Sequence, residues 1–482
     1  MRPTLFYIPP EIFGHPVFGL YGLTNFLLVA VVVIASVWRF VKTKKWDEEI
    51  GNYFVILVII GVILTFVAPK MMEPVGTGER IGFPIRGYGV CLLVAILSSL
   101  FLVLRLSKRK QIPSEQIFSL CLWAVLGGIL GARAFYITEY WSEMVQYENN
   151  QLQLVSTLYN IVNIANGGLV VYGSIFGGIL GSLLFMIRNK MPVWATFDAM
   201  APAMMLGLSI GRIGCLLNGC CFGGVTDVAW GIVFPEGSFA HLHQIEHGQT
   251  FYCGLKFAEQ PIHNTRFLAV EAVQPGSDAE VAGLKPNMLI RGVVGTINGK
   301  SLAWDIGTRP ILFSNAPNSP NFSLPGCCQR PEPSAKREIL EWIAYLQKMS
   351  PDEKIRFDIY TDSAGTGTKP YFVTPTPSVV LPVHPTQIYS SVTAMILCLV
   401  LLILGRFYFF RCRDGSVFAV FLILYSVARF ILENIRTDED SFLGTGMTIS
   451  QNVSILVFVA GIILSAFLLL TNTKPAQQLK SD

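Results

Sequence analysis

The sequence predicts a polytopic α-helical membrane protein of about nine transmembrane helices, interrupted once by an extracytoplasmic α+β domain. Three observations predict it. Of 482 residues, 52% are hydrophobic and only 14% charged, too few charges to cover a water-facing surface of this size. Apolar runs of roughly 17 to 25 residues, the length that crosses a hydrocarbon core, recur along the chain. One long polar stretch, residues 224–383, breaks the series.

The runs fall near 17–38, 52–68, 86–106, 117–138, 168–187, 194–217, 386–405, 415–435 and 451–472. No basic region precedes the first run and no small-residue cleavage site follows it, so it is expected to be a retained helix. Every odd run is followed by a basic loop: Arg39, Lys42, Lys44 and Lys45, then Arg105, Lys108, Arg109 and Lys110, then Arg188 and Lys190, then Arg406, Arg411 and Arg413. Positive residues stay on the cytoplasmic side, which predicts an outside N-terminus and a cytoplasmic C-terminus in a bacterial inner membrane. A net charge of +4 is small for this length and gives no argument for nucleic acid as a partner. The ten cysteines show no disulfide framework.

By this count the stretch 224–383 is periplasmic. Val270 to Pro286 reads as strand, Pro275-Gly276 turn, short helix and Gly283 stop, and Met288-Leu289-Ile290 leads to a hairpin turn at Asn298-Gly299. Ala335 to Lys348 reads as an amphipathic helix and Lys354 to Thr361 as a strand, with a Pro, Ser and Asn-rich insertion from Gly307 to Arg330 between. The order resembles a bacterial PDZ domain over about 265–378, which implies a peptide ligand added along a sheet edge; a spacer without ligand is the plainer alternative. His241, His243 and His247, with His263 behind, could hold zinc, but solvated loop histidines are the expected reading.

Charge at membrane depth points to function. Arg212 lies inside the sixth run and has no acid within one turn, and an arginine there costs about 2.5 to 3.5 kcal/mol on insertion scales. Gly207, Gly211 and Gly214 recur on the same helix and would let a backbone or ligand approach it. Tyr425, Arg429 and Glu433, with Arg436 beyond, share one face of the eighth run. Two arginines, a carboxylate and a tyrosine in a bundle interior suit a phosphate. The plainer readings are an Arg429–Glu433 ion pair closed on itself and an Arg436 that snorkels to headgroups.

Gly211-Arg212-Ile213-Gly214-Cys215-Leu216-Leu217-Asn218-Gly219-Cys220-Cys221-Phe222-Gly223 resembles the signature of the prolipoprotein diacylglyceryl transferase family. Arg86-Gly87-Tyr88-Gly89, Gly167 to Gly173 and His384-Pro385-Thr386-Gln387-Ile388-Tyr389 agree with it in order and spacing, as does the Tyr425, Arg429 and Glu433 face. The resemblance covers about 80–223 and 382–472. It implies a transferase core of 80–223 and 384–482, with 1–79 supplying two additional helices and 224–383 the insert. Cys215 and Cys220 stand where the family usually has Asn and Glu, and Leu216 where it has Phe, so no role is carried over to these positions.

The resemblance implies transfer of the diacylglyceryl group of phosphatidylglycerol to the lipobox cysteine thiol of a prolipoprotein signal peptide, with release of glycerol phosphate. Arg212 and Arg429 would bind the phosphate, Asn218 and Gly223 shape the turn beneath, Glu433 orient Arg429, and Tyr425 hydrogen-bond the headgroup or an arginine. Tyr172, Tyr88 and His384 are the candidate general bases; a tyrosine, with its ordinary pKa near 10, would need nearby arginines to lower it. No metal or cofactor is expected, and Cys215, Cys220 and Cys221 are read as small buried thiols sooner than as a redox or metal cluster. A metalloprotease is disfavoured because the sequence has no H-E-x-x-H. A transporter or lipid-binding scaffold is the rival reading.

Overall fold

The computed structural model describes residues 4–19, 21–44, 57–58, 60–74, 80–145, 147–148, 151–153, 157, 161, 170–262, 265–297, 300–305, 340, 343, 354–360, 368–374, 378–407, 410, 413–436 and 447–471. The chain divides into two compact units, one of residues 1–90, 235–313 and 335–380, the other of 91–234, 314–334 and 381–482.

Long helices form where apolar residues run unbroken: α1 (Leu23–Thr43), α2 (Gly87–Arg109), α3 (Ser114–Glu139), the shorter α4 (Val171–Arg188), α5 (Val193–Asn218), α6 (Thr386–Leu404), α7 (Ser416–Glu433) and α8 (Ile449–Leu470). Among the described residues seven of these, all but α4, are long and apolar enough to cross a membrane. Large apolar side chains such as Phe101, Leu130, Phe176 and Ile463 point outward and are exposed, as a lipid-facing surface requires. Of the nine expected spans, eight correspond to α1–α8. The other, 52–68, is described at 57–58 and 60–68, where it is helical, and its end winds as a π-helix over Ile63–Val67 and a 3-10 turn over Ala68–Met71.

Small residues set the packing in the second unit. Gly127 and Gly131 of α3 meet Gly173, Gly177 and Gly181 of α4 so closely that a Cβ on Gly131 would fall 2.7 Å from the Gly177 Cα. Helices α5 and α6 exchange two hydrogen bonds at membrane depth, Ser209 Oγ donating to the Ser391 carbonyl at 2.9 Å and Ser391 Oγ to the Ser209 carbonyl at 2.8 Å. At one end of this bundle the buried Asp198 of α5 accepts from the backbone N–H groups of Gly415, at 2.8 Å, and Phe418, at 2.9 Å. It thereby caps the start of α7, where four N–H groups lack helical partners. Lys110 pairs with Asp414 at 2.6 Å and lies 3.9 Å from Asp198, so the ends of α2, α5 and α7 are tied by charge. The sequence reading passed over Asp198, although an acid inside an apolar run carries the same signal as Arg212.

In the first unit, Thr4–Ile8 and Glu73–Pro74 pair with Arg80–Arg86 in a small antiparallel sheet. The insert forms a six-stranded antiparallel sheet of β1 (Leu255–Ile262), β2 (Thr265–Val273), β3 (Leu289–Ile297), β4 (Lys300–Asp305), β5 (Ile355–Tyr360) and β6 (Thr368–Val373). Its path runs β6-β5-β3-β2-β1, with β4 paired to β3 as a hairpin. Between β2 and β3 the expected turn and short helix, Asp278–Val281, are present; Ser277 Oγ caps it, accepting from the Glu280 N–H, and Gly283 ends it at φ +89°. Strand β1 precedes the expected boundary at 265. Leu255 and Phe257 alternate into the core, and Pro261, which has no N–H to give, suits an outer strand. The expected helix 335–348 lies outside the described residues apart from Leu340 and Ile343, both buried.

Replacing Asp198 by alanine removes two charge-assisted caps from a buried helix start and should cost about 2 to 4 kcal/mol. Thermal unfolding in detergent micelles checks this; an unchanged midpoint contradicts the capping role.

Candidate active site

Helix α5 ends because Gly219 adopts φ +76°, a left-handed corner open to glycine at little cost, and the chain turns back through Cys220, Cys221 and Phe222 to Gly223. This turn is laced to two other segments. The Gly223 N–H donates to the His384 carbonyl at 2.9 Å, just before α6, and the Gly224 N–H to the Ile435 carbonyl at 3.0 Å, just after α7. Gly223 has no room for a side chain: a Cβ there would sit 2.7 Å from His384 Cβ and 2.8 Å from Thr386 Cγ2. Thr386 Oγ1 donates to the Cys221 carbonyl and Gln387 Nε2 to the Cys220 carbonyl, each at 2.7 Å. The ends of α5 and α7 and the start of α6 therefore form one rigid floor.

Arg212 stands on α5 above this floor. Its electrostatic neighbours are Cys221, Cys215, Arg436 and Tyr425. Its Nε is buried and has no hydrogen-bond partner among the described residues. A Cβ on Gly211 would meet nothing within 4 Å, whereas Gly207 is filled by Ser99 of α2. On α7, Glu433 is fully buried and holds two arginines, Arg429 at 2.9 Å and Arg436 at 3.9 Å. Arg429 also donates to Ser450 Oγ of α8 at 2.9 Å. Tyr425 stacks on Phe421, ring centroids 5.7 Å apart.

The structure thus places Arg212 near Tyr425 and pairs Arg429 with Glu433. It adds Arg436, whose side chain is 7% exposed and which neighbours Arg212; the snorkelling expected of it does not occur. The spacing puts Tyr425, Arg429 and Glu433 on one helical face, whereas Arg436 lies past the helix end and is brought to Glu433 by the turn that follows. Asn218 is the last residue of α5, and the corner that follows is made by Gly219. His384 Nδ1 lies 3.4 Å from Tyr389 Oη, which accepts from Trp230 Nε1 at 2.7 Å. Tyr88 stands in the first turn of α2; Tyr172 falls in the first turn of α4, and its side chain lies outside the described residues. A further arginine at membrane depth, Arg133 of α3, donates to the Ile161 carbonyl at 2.8 Å and packs over Tyr136.

The histidine run is not a solvated loop. It occupies a helix, Phe239–Glu246, in which His241 is fully buried. His241 Nδ1 accepts from the Gly237 N–H at 3.0 Å, so Nε2 carries the proton and donates to Ser378 Oγ at 2.8 Å, which donates in turn to Glu236 at 2.7 Å. The carboxylate meets the serine and not the imidazole, so this chain of bonds is structural. His243 and His247 stack at 4.0 Å with His247 Nδ1 on the His243 carbonyl, and His263 lies outside the described residues.

Clustered guanidinium groups in the interior of a helical bundle suit an anionic ligand. Comparison with known proteins makes this specific. The family model for prolipoprotein diacylglyceryl transferase matches residues 79–270 and 347–467. A phosphatidylglycerol–prolipoprotein diacylglyceryl transferase of Rhodopirellula baltica is 31% identical over 96% of this chain and 88% of its own length. Transferases of the same name from Synechococcus elongatus and Clostridium perfringens are each 33% identical, over 36% and 34% of this chain and 57% and 60% of their own lengths. The chain belongs to the prolipoprotein diacylglyceryl transferase family.

Burial pushes the His241 imidazole below its ordinary value, against an opposing pull from Glu236. The unfolded chain then binds the proton more readily, so stability is full above the ordinary imidazole value of about 6.5 and is lost as pH falls through it. Thermal midpoints between about pH 7.5 and 5 should fall less steeply for His241→Gln than for the parent; equal slopes contradict this.

Proposed function

We propose that this chain moves the diacylglyceryl group of phosphatidylglycerol onto a prolipoprotein cysteine thiol, with Arg212 and Arg436 holding the lipid phosphate. The observation that carries this is the buried Nε of Arg212, which has no hydrogen-bond partner among the described residues, with the buried Arg436 as its neighbour. Two like charges are tolerated in a low-dielectric interior when an anion lies between them, and a phosphodiester supplies it. The thiolate attacks the glyceryl carbon, the carbon–oxygen bond breaks, and the leaving glycerol phosphate takes on a second negative charge. Guanidinium donors already in place stabilise that charge without reorganising.

Arg429, committed to Glu433 and Ser450, backs this pair as a third positive charge, and Glu433 fixes the orientation of Arg429 on α7 and of Arg436 just beyond it. Tyr425 neighbours Arg212. The buried Oε1 of Gln387, which has no partner among the described residues, is an acceptor for a glycerol hydroxyl of the headgroup. Of the base candidates, His384 stands beside the turn after α5, its carbonyl accepting from the Gly223 N–H and its Nδ1 3.4 Å from Tyr389 Oη. Tyr88 and Tyr172 keep their expected roles as alternatives.

The basic loop residues Lys110 and Arg413 belong to the Asp198 end of the bundle, which supports a cytoplasmic placing of that end and a site near the outer leaflet. The insert would then be periplasmic, where an outer strand such as β1 is suited to pair with a peptide. The transporter and scaffold readings draw no support from the family match.

The test is incubation of purified protein with phosphatidylglycerol and a lipobox peptide, reading glycerol phosphate release and the mass of the thioether product. Arg212→Gln and Arg436→Gln should each lower the rate about 100- to 1,000-fold. Headgroup binding without turnover in the parent protein would sink the transferase reading.

A further inference from the structure

The Sγ atoms of Cys215, Cys220 and Cys221 all lie within 4.8 Å of one another, and Cys215 and Cys220 are buried. Two features hold the cluster in place. The left-handed corner at Gly219 folds Cys220 and Cys221 back beside Cys215, and Cys221 itself is left-handed at φ +58°, a conformation uncommon for a side-chain-bearing residue. Gln387 and Thr386 then pin the carbonyls of the two turn cysteines from α6. Around a tetrahedral zinc, with zinc–sulfur bonds of about 2.3 Å, sulfur atoms stand about 3.8 Å apart. The observed triangle needs to contract by no more than about 1 Å.

We propose that these three thiols bind one zinc ion through three thiolates and leave its fourth position open. Three thiolates and Zn²⁺ sum to one negative charge, and the neighbouring Arg212 guanidinium balances it. Three protein ligands with an open position are the arrangement of a catalytic zinc site and not of a closed structural one. The ligand that fits the opening is a thiol, because thiolate is the donor the ion already prefers and a coordinated thiol is deprotonated outright.

This second step rests on the transferase reading. The prolipoprotein cysteine would coordinate zinc, its proton passing to solvent, and attack the glyceryl carbon as a zinc-bound thiolate. One carbon–sulfur bond forms and one carbon–oxygen bond breaks, the thiolate's charge ends on glycerol phosphate, and the thioether, a poor zinc ligand, gives way to water. Arg212 neighbours both the cysteines and Arg436, which puts a zinc-held nucleophile and the phosphate leaving group within reach of one guanidinium. The need for a strongly shifted tyrosine base then disappears.

The experiment uses the full chain in detergent. Metal analysis should find about one zinc per chain, and both Cys220→Ser and Cys221→Ser should lose it, while Cys398→Ser, on α6 away from the cluster, should keep it. Elution profile and thermal midpoint confirm that the variants fold. Cobalt exchanged for zinc gives thiolate charge-transfer and d–d bands; a lipobox peptide should shift them and its serine counterpart should not. No metal in the parent protein, metal kept in both cysteine variants, or a disulfide among the three cysteines overturns the site. Metal bound, with a spectrum blind to the peptide and full transfer after chelation, overturns thiol capture and leaves the transferase reading standing. A spectrum that responds to the peptide while no diacylglyceryl is transferred supports the zinc site and overturns the transferase reading.

Discussion

A buried carboxylate between two arginines, facing a third arginine across a helix interface, is the arrangement on which the rest of the bundle depends. Glu433 is wholly desolvated, a state that is costly for a lone carboxylate and tolerable only with cations in contact. Arg429 supplies one from α7 and Arg436 another from just past its end. Arg212 approaches from α5, and its Nε has no hydrogen-bond partner among the described residues. An anion taken up beside these guanidinium groups would gain from their charge in a low-dielectric interior, which is the basis of the phosphate site proposed above.

The small residues serve that cluster. Serines on α5 and α6 exchange hydrogen bonds one turn from Arg212, and Gly223 lets His384 and Thr386 close against the turn. At the opposite end Asp198 caps α7, the helix that carries Tyr425, Arg429 and Glu433. Helix α7 is thus fixed at its start by a side chain of α5 and just past its end by the turn that follows α5. A pair of helices pinned at both ends keeps facing arginines at constant separation, which electrostatic stabilisation of a developing charge requires.

Much of this was legible because the bilayer imposes strong rules. Apolar length located eight helices, and the 3.6-residue repeat placed Tyr425, Arg429, Glu433 and Arg436 on one face before any coordinates. What the sequence left open was tertiary. Arg436 reads as a snorkelling residue at a helix end until the chain is seen to turn it inward over Glu433. The three cysteines are scattered by five and one residues, and only the left-handed corner at Gly219 brings their sulfurs together. Strand β1 was missed because Pro261 and a polar second half hide its alternation, and the histidines of Phe239–Glu246 looked like loop because polar residues fill a helix too short for a clear period.

Native mass spectrometry of the purified protein, released from micelles carrying equal phosphatidylglycerol and phosphatidylethanolamine, addresses the central claim directly. The parent chain should retain one phosphatidylglycerol in preference, and Arg212→Gln/Arg436→Gln should retain neither lipid selectively. Equal lipid retention by parent and variant would mean that the clustered guanidinium groups do not receive a lipid phosphate.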